Sequence, residues 1–229
     1  MVNIADIEVQ IVRKRIKRIN LAIYPPDGRV RISVPYQVSN DHVNKIILSR
    51  LDWIKEKQAY FQRLPPVPVV RYISGEMHAL FGKQYALQVI HDQGCQGVLL
   101  NKDGILKLCV KRDATEAVRE KLLDDWYRDE MKLRLPGLIA KWEPLIGKAV
   151  AECRIRKMRT RWGTCHIPKR RIWLNLELAK RPAECLEYVM VHEMVHLLER
   201  NHTSRFYRFM DHFLPDWRVI KDRLNKFTR

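Results

Sequence analysis

His192 and His196 flank the stretch HEMVH, Glu193 follows the first of them, and His202 lies six residues beyond the second. On an α-helix, residues four apart differ by about 40° in azimuth and about 6 Å in rise, so His192 and His196 project from one face, where two imidazoles can close on one ion. Glu193 offers a carboxylate beside the first ligand without having to bind the metal, which suits a general base acting on metal-bound water. Leu186, Met190, Val191, Met194, Val195, Leu197 and Leu198 surround the pair with apolar groups on several sides. Two histidines and a glutamate in so apolar a helix are costly unless the histidines bind something and the glutamate has a partner.

His202 can join them only if the helix stops, because an unbroken helix would turn it about 240° from His196 and carry it about 9 Å further along. Arg200 and Asn201 offer the break, since Asn tolerates the left-handed conformation that ends helices, and Thr203 can cap a new helix in HTSRFYRFM. His202 then swings back as a third ligand. Three imidazoles leave one position of a tetrahedral Zn2+ open to water, whose pKa falls to about 7 on binding. A structural zinc would want a fourth protein ligand, for which Cys165 or His166 is the nearest candidate from elsewhere in the chain. Metzincins share the spacing of the three histidines but place Gly where this chain has Glu199, which argues against a true metzincin.

The elements that must position these groups can be read from periodicity. RINLAIYPPDGRVRISVP alternates apolar and polar residues around Asp27-Gly28, a hairpin signal, and GVLLNKDGILKLCV repeats the pattern around Asp103-Gly104. Between them Val43, Ile46, Ile47, Leu51 and Ile54 fall at helical spacing after Ser39, Asn40 and Asp41 as cap candidates, and the proline-rich LPPVPVV at 64–70 ends that helix. From Thr115 to about Ile146 the pattern is helical again, with Pro136 marking a break or kink. RIWLNLELAK reads as a strand with Ile172, Leu174, Leu176 and Leu178 on its buried face; residues 183–200, 203–213 and 216–226 read as helices. The fold class is α+β, and the best division falls near residues 113–115: a strand-rich part with one long helix over 1–113, and the part with the histidines over 114–229.

Composition bounds the rest. The 229 residues are 46% hydrophobic, enough for a sizeable core, and no apolar run approaches the roughly 20 residues of a membrane span. The N-terminus lacks a signal peptide's apolar centre, so the sequence reads as cytoplasmic, with no membrane partner. Cys95, Cys109, Cys153, Cys165 and Cys185 are odd in number, widely spaced and without a C-x-x-C pair, which argues against a disulfide framework or a zinc ribbon. The net charge of +17 favours contact with polyanions but names no substrate.

DGRVRISVP, DWIKEK, YISGE, RWGTC, IWLNLEL, VMVHEMVHLLERNHTSRFYRFM and PDW follow one another along nearly the whole chain. In this series the sequence resembles the YgjP-like metal-dependent hydrolases, related to SprT- and WLM-type zinc peptidases. The resemblance implies a zincin-like catalytic part over 114–229 with an HExxH active-site helix, His192, His196 and His202 as zinc ligands, and Glu193 as catalytic base. RWGTC departs from the family's usual R-W-G-S-C at Thr164, a change that keeps the hydroxyl. By the same resemblance RRIWLNLELAK is the strand beside the cleft that pairs with an extended substrate, which it can do only as an edge strand. Arg161, Trp162, Leu174 and Asn175 are the candidates for contact with substrate; a packing anchor at a tight turn is the other reading of Trp162 before Gly163.

Residues 154–181 hold ten basic side chains (Arg154, Arg156, Lys157, Arg159, Arg161, Lys169, Arg170, Arg171, Lys180 and Arg181) against Glu177 alone. They read either as an anion-binding surface for a nucleotide or nucleic acid or as a solvated face. Three functions follow in order. The first is a zinc-dependent metallopeptidase acting on peptides or proteins through zinc-bound water and a glutamate base. The second is a metal-dependent nucleoside triphosphate hydrolase, and the third a nucleic-acid-binding module with a structural zinc.

Overall fold

The computed structural model describes residues 1–24, 27–63 and 70–227. The chain forms two compact units, residues 1–69 and 70–228. Among the described residues there are eleven β-strands in three sheets and six α-helices, a mixed architecture that is rich in strands toward the N-terminus.

In the first unit, β1 (Val2–Ile4), β2 (Ile7–Lys14), β3 (Asn20–Tyr24) and β4 (Arg29–Pro35) form a sheet of order β1-β2-β4-β3. Alternation along β4 buries Val30, Ile32 and Val34 on one face, as period-two patterning requires. The β3–β4 hairpin turns at Asp27-Gly28, with Gly28 at φ 71°. One long helix was expected next, but the chain forms two, α1 (Asn40–Ser49) and α2 (Leu51–Arg63). Ser39 caps α1 by accepting from the His42 N–H at 3.2 Å, and Arg50 breaks it at φ −118°, turning its own N–H to Ile47 O and Leu48 O. Val43, Ile47 and Ile54 still reach the sheet from both helices. Most of the proline-rich stretch expected to end α2, residues 64–69, lies outside the described residues.

The second unit opens with β5 (Met77–Leu80), β6 (Lys83–His91), β7 (Gly97–Leu100) and β8 (Ile105–Val110), in the order β5-β6-β8-β7. This sheet repeats the antiparallel, parallel, antiparallel pairing of the first. Helix α3 (Glu116–Ile146) follows, capped by Thr115 and ended by Gly147 at φ 71°. It runs through Pro136 as one helix, so that proline does not break it. A lost backbone hydrogen bond and a ring clash cost about 3 kcal/mol there, and burial of Leu123, Tyr127, Met131, Leu135, Trp142 and Ile146 along the helix offsets it.

A third sheet joins β9 (Glu152–Arg156), β10 (Gly163–His166) and β11 (Arg171–Asn175) in the order β10-β11-β9. The strand expected to run through Lys180 ends at Asn175. There the Asn175 carboxamide accepts from the Glu177 N–H at 3.2 Å and starts a 3-10 turn over Leu176–Lys180 that still buries Leu176 and Leu178. Helices α4 (Ala183–Val195), α5 (Ser204–Phe213) and α6 (Trp217–Asn225) complete the chain.

One core runs through this unit: Leu80, Leu87, Leu106, Leu108 and Val110 of the second sheet lie in the same cluster as Tyr127, Leu174, Met190 and Met194. The division therefore falls after residue 69 and not at 113–115, because the second sheet shares its apolar face with the elements that carry the histidines. Cys95 and Cys109 form a disulfide, with Cα atoms 5.7 Å apart, which ties the β6–β7 connection to β8. Spacing alone does not mark this bond; Cys153, Cys165 and Cys185 are free. Among the described residues no helix is long and apolar enough to cross a membrane.

Candidate metal centre

Helix α4 is buried around most of its circumference, which fixes its azimuth and hence the direction of every side chain on it. It closes at His196 with shorter-range bonds, Leu197 N–H to Met194 O and Leu198 N–H to Val195 O, both 2.9 Å. The chain then turns without the left-handed residue expected at Arg200-Asn201, neither of which has positive φ. Instead the Thr203 N–H bonds to Asn201 O at 2.8 Å, and the Thr203 hydroxyl accepts from the Phe206 N–H at the start of α5. This tight reversal brings His202 back over the helix end.

The three imidazoles converge. Their centroids are 5.1 Å apart for His192–His196, 4.8 Å for His196–His202 and 4.9 Å for His192–His202, and one nitrogen from each lies within 4.8 Å of the other two. Phe206 forms a floor beneath all three, with ring centroids at 4.7 to 4.9 Å. The His196 Nδ1 lies 3.2 Å from Glu199 O; as a donor to that carbonyl it leaves Nε2 for the site.

This set fits a metal ion. The Nε2 atoms of His192 and His202 face each other at 3.0 Å, and nitrogens around a tetrahedral zinc sit about 3.3 Å apart. Burial, reinforced by His196, His202 and Lys221, pushes the His192 pKa down to about 3, and burial lowers that of His202. Both are thus neutral at physiological pH, the form that donates a lone pair. Among the described residues no fourth His, Cys, Asp or Glu joins the group. Cys165, raised as a fourth ligand, lines the same cleft outside the cluster, while His166 accepts from the Lys169 N–H at 3.2 Å in a surface turn.

Glu193 is 5% exposed, and burial pushes its pKa up to about 8 against the opposing charge of Arg161. Its carboxylate packs against Gly163 of β10. Both groups, with the three histidines, line a cleft of about 620 Å³. A histidine triad, an adjoining buried carboxylate and a cleft open to a ligand form the arrangement of a metal-dependent hydrolase.

Comparison with known proteins shows that residues 17–227 match the YgjP-like family, described as a metallopeptidase domain. The chain belongs to the YgjP-like family. That membership implies a metal ion, and the triad is the group among the described residues that could hold it. Among solved structures, the YgjP-like chain is similar to the metallopeptidase zymogen of Pyrococcus abyssi abylysin, with 23% identity and a TM-score of 0.38, over 41% of this chain and 95% of that one. A likeness so loose carries no argument. Among proteins of curated function none matches.

Of the four residues proposed from sequence to contact substrate, this YgjP-like fold places two at the cleft, Arg161 and Trp162. Leu174 is fully buried in the core. The buried Asn175 turns its side chain inward: Nδ2 donates to Met158 O at 2.9 Å and Arg161 O at 2.8 Å, and Oδ1 accepts from the Met158 N–H at 3.2 Å. Both reassignments have one cause: β11 is the middle strand of its sheet, paired on both sides, so it has no edge to offer a substrate. The strand at the cleft is β10.

Sequence reasoning missed Tyr188, Arg200 and Lys221, which also line the cleft. Tyr188 could have been found one helical turn before His192; nothing local marks Lys221. Four of the ten basic side chains of the segment are engaged in ion pairs. Arg154 and Arg171 pair with Glu152, Lys157 with Glu120 and Asp124 at 2.6 and 2.9 Å, and Lys180 with Glu177 at 3.0 Å. No observation supports nucleic-acid binding through it.

Proposed function

We propose that this YgjP-like protein is a zinc-dependent peptidase in which His192, His196 and His202 hold the ion and Glu193 is the general base, on a zincin-like catalytic part. The observation that carries the reading is the convergence of three imidazoles beside a buried carboxylate, at the floor of a cleft whose wall is strand β10. A bound zinc would supply Lewis acidity to a carbonyl and to water at neutral pH.

The chain's own groups do the rest. Glu193 takes a proton from the attacking water and returns it to the leaving amine, and a carboxyl group whose burial lifts its pKa toward neutrality can serve both transfers. Positive charge from Arg161 on one side and from the occupied triad on the other favours the carboxylate form that accepts first. β10 is an edge strand, so an extended peptide can add to its free backbone edge and be held there while Trp162 flanks it. From α4, Val189 and Tyr188 give the cleft an apolar and an aromatic surface.

A second reading, hydrolysis of a nucleoside triphosphate, draws on a separate observation: Arg161, Arg200 and Lys221 line the cleft, and none makes an ion pair among the described residues. Three such cations could hold a phosphate chain. The zinc-loaded wild type and an Arg161→Gln/Arg200→Gln/Lys221→Gln variant, assayed on unfolded protein and on nucleoside triphosphates, separate the two. The peptidase reading expects proteolysis that needs Glu193 and persists in the variant. Triphosphate turnover that needs Glu193 and these cations, with no proteolysis, would install the second reading instead.

A further inference from the structure

We infer that Gly163 is a positioning residue: the missing side chain at this point of β10 is what lets the Glu193 carboxylate lie against the strand, beside the triad. The inference deepens the general-base reading of Glu193 and rests on it. It also gives the RWGTC segment a role that its sequence alone does not.

A glycine is usually needed for backbone freedom or for space. Backbone freedom is not the reason here, because Gly163 is not among the glycines with positive φ. Space is: a methyl group on Gly163 would lie 2.7 Å from Oε1 and 2.8 Å from Cγ of Glu193, and 2.8 Å from a methyl of Val189. Carbon atoms do not tolerate such distances, so any side chain at 163 forces something to move.

The surroundings decide what moves. β10 is pinned to β11, with Gly163 opposite Leu174, a fully buried core residue. The Asn175 N–H donates to Trp162 O at 2.8 Å, and the Asn175 carboxamide holds Arg161 O at 2.8 Å, so the approach to Gly163 is clamped as well. On the other side, α4 is packed by Met190 and Met194, both fully buried, and Val189 is β-branched and restricted at χ1. The Glu193 side chain is the one partner with freedom to rotate. With the Val189 clash also removed, as in Gly163→Ala/Val189→Ala, a methyl group at 163 would therefore drive the carboxylate from its seat and leave the backbone and the triad in place. None of the three atoms it would meet belongs to a histidine.

Displacing a reacting group by about 1 Å costs on the order of 10²-fold in rate. For Gly163→Ala we expect wild-type zinc content, KM close to wild type on fluorescein-labelled unfolded casein, and kcat lower by about 10²-fold. Because Gly163 acts through Glu193, adding Gly163→Ala to Glu193→Gln should cost little more than Glu193→Gln alone. A crystal structure of Gly163→Ala should show the Glu193 carboxylate moved while the three histidines superpose on the wild type; this arm needs no turnover. Gly163→Ala/Val189→Ala removes one of the clashes and keeps those with Glu193, so it carries the same tests if the single variant folds poorly.

Wild-type kcat in Gly163→Ala, losses that multiply in the double variant, reduced zinc content or an unmoved carboxylate would each overturn the inference while leaving Glu193 as base. Full activity in Glu193→Gln would instead remove the general-base reading and, with it, the route by which Gly163 acts.

Discussion

The three histidines differ in how firmly the protein holds them. His192 and His196 are set by a buried helix, whereas His202 is exposed and depends on the turn after α4 and the cap of α5. Phe206, fully buried in the first turn of α5, ties the third imidazole to the other two. Wild-type protein should retain zinc through mild dialysis, and His192→Ala/His196→Ala should lose it; unchanged zinc by elemental analysis in that variant would place the ion elsewhere. Glu193→Gln should separate chemistry from binding, keeping the zinc and the fold while turnover falls about 10²–10⁴-fold. A structural zinc predicts no such loss. The chelating pair and Glu193 could be read from sequence because a helix turns spacing of four into proximity without help from the rest of the chain. Phe206, Tyr188 and Lys221 could not all be, because the packing of α5 and α6 on α4 brings two of them to the site.

Strands show where such local reading stops. Alternation in IWLNLEL locates the buried residues correctly, Ile172 and Leu174 in β11 and Leu176 and Leu178 in the turn after it, yet it says nothing about which strands lie to either side. Edge and middle strands have similar patterns, and pairing with β9 and β10 decides which one can meet a substrate. Asn175 is the consequence at this scale: its carboxamide secures the chain from Met158 to Arg161, so it supports the cleft from behind. Asn175→Ala would strand the buried partners of those bonds and should lower stability by about 1–3 kcal/mol. Urea unfolding measures that loss, and the same variant should bind substrate more weakly, as Arg161 loses its anchorage. A stable variant with an ordinary KM would show that the Asn175 carboxamide does not support the cleft.

At the scale of the whole molecule, the two four-stranded sheets repeat one topology but sit in different cores. Sequence showed the repeated hairpins and placed a boundary after the second, where strands give way to the α3 helix. Which core a sheet joins depends on contacts distant in the chain, such as the Phe81 N–H on Ala179 O at 2.8 Å, and those leave no periodic signal. The two boundaries make opposite predictions for fragments. Residues 70–229 keep the entire second core and should fold cooperatively and bind zinc. Residues 114–229 lack Leu80, Leu87, Leu106, Leu108 and Val110, all buried in that core, and would expose the surfaces these residues cover. Five aliphatic side chains at about 1.5–3 kcal/mol each amount to roughly 10 kcal/mol of lost burial, comparable to the whole stability of a typical domain. The shorter fragment should therefore show no cooperative thermal transition and no stoichiometric zinc, and a folded, zinc-loaded 114–229 would put the catalytic boundary back at 113–115.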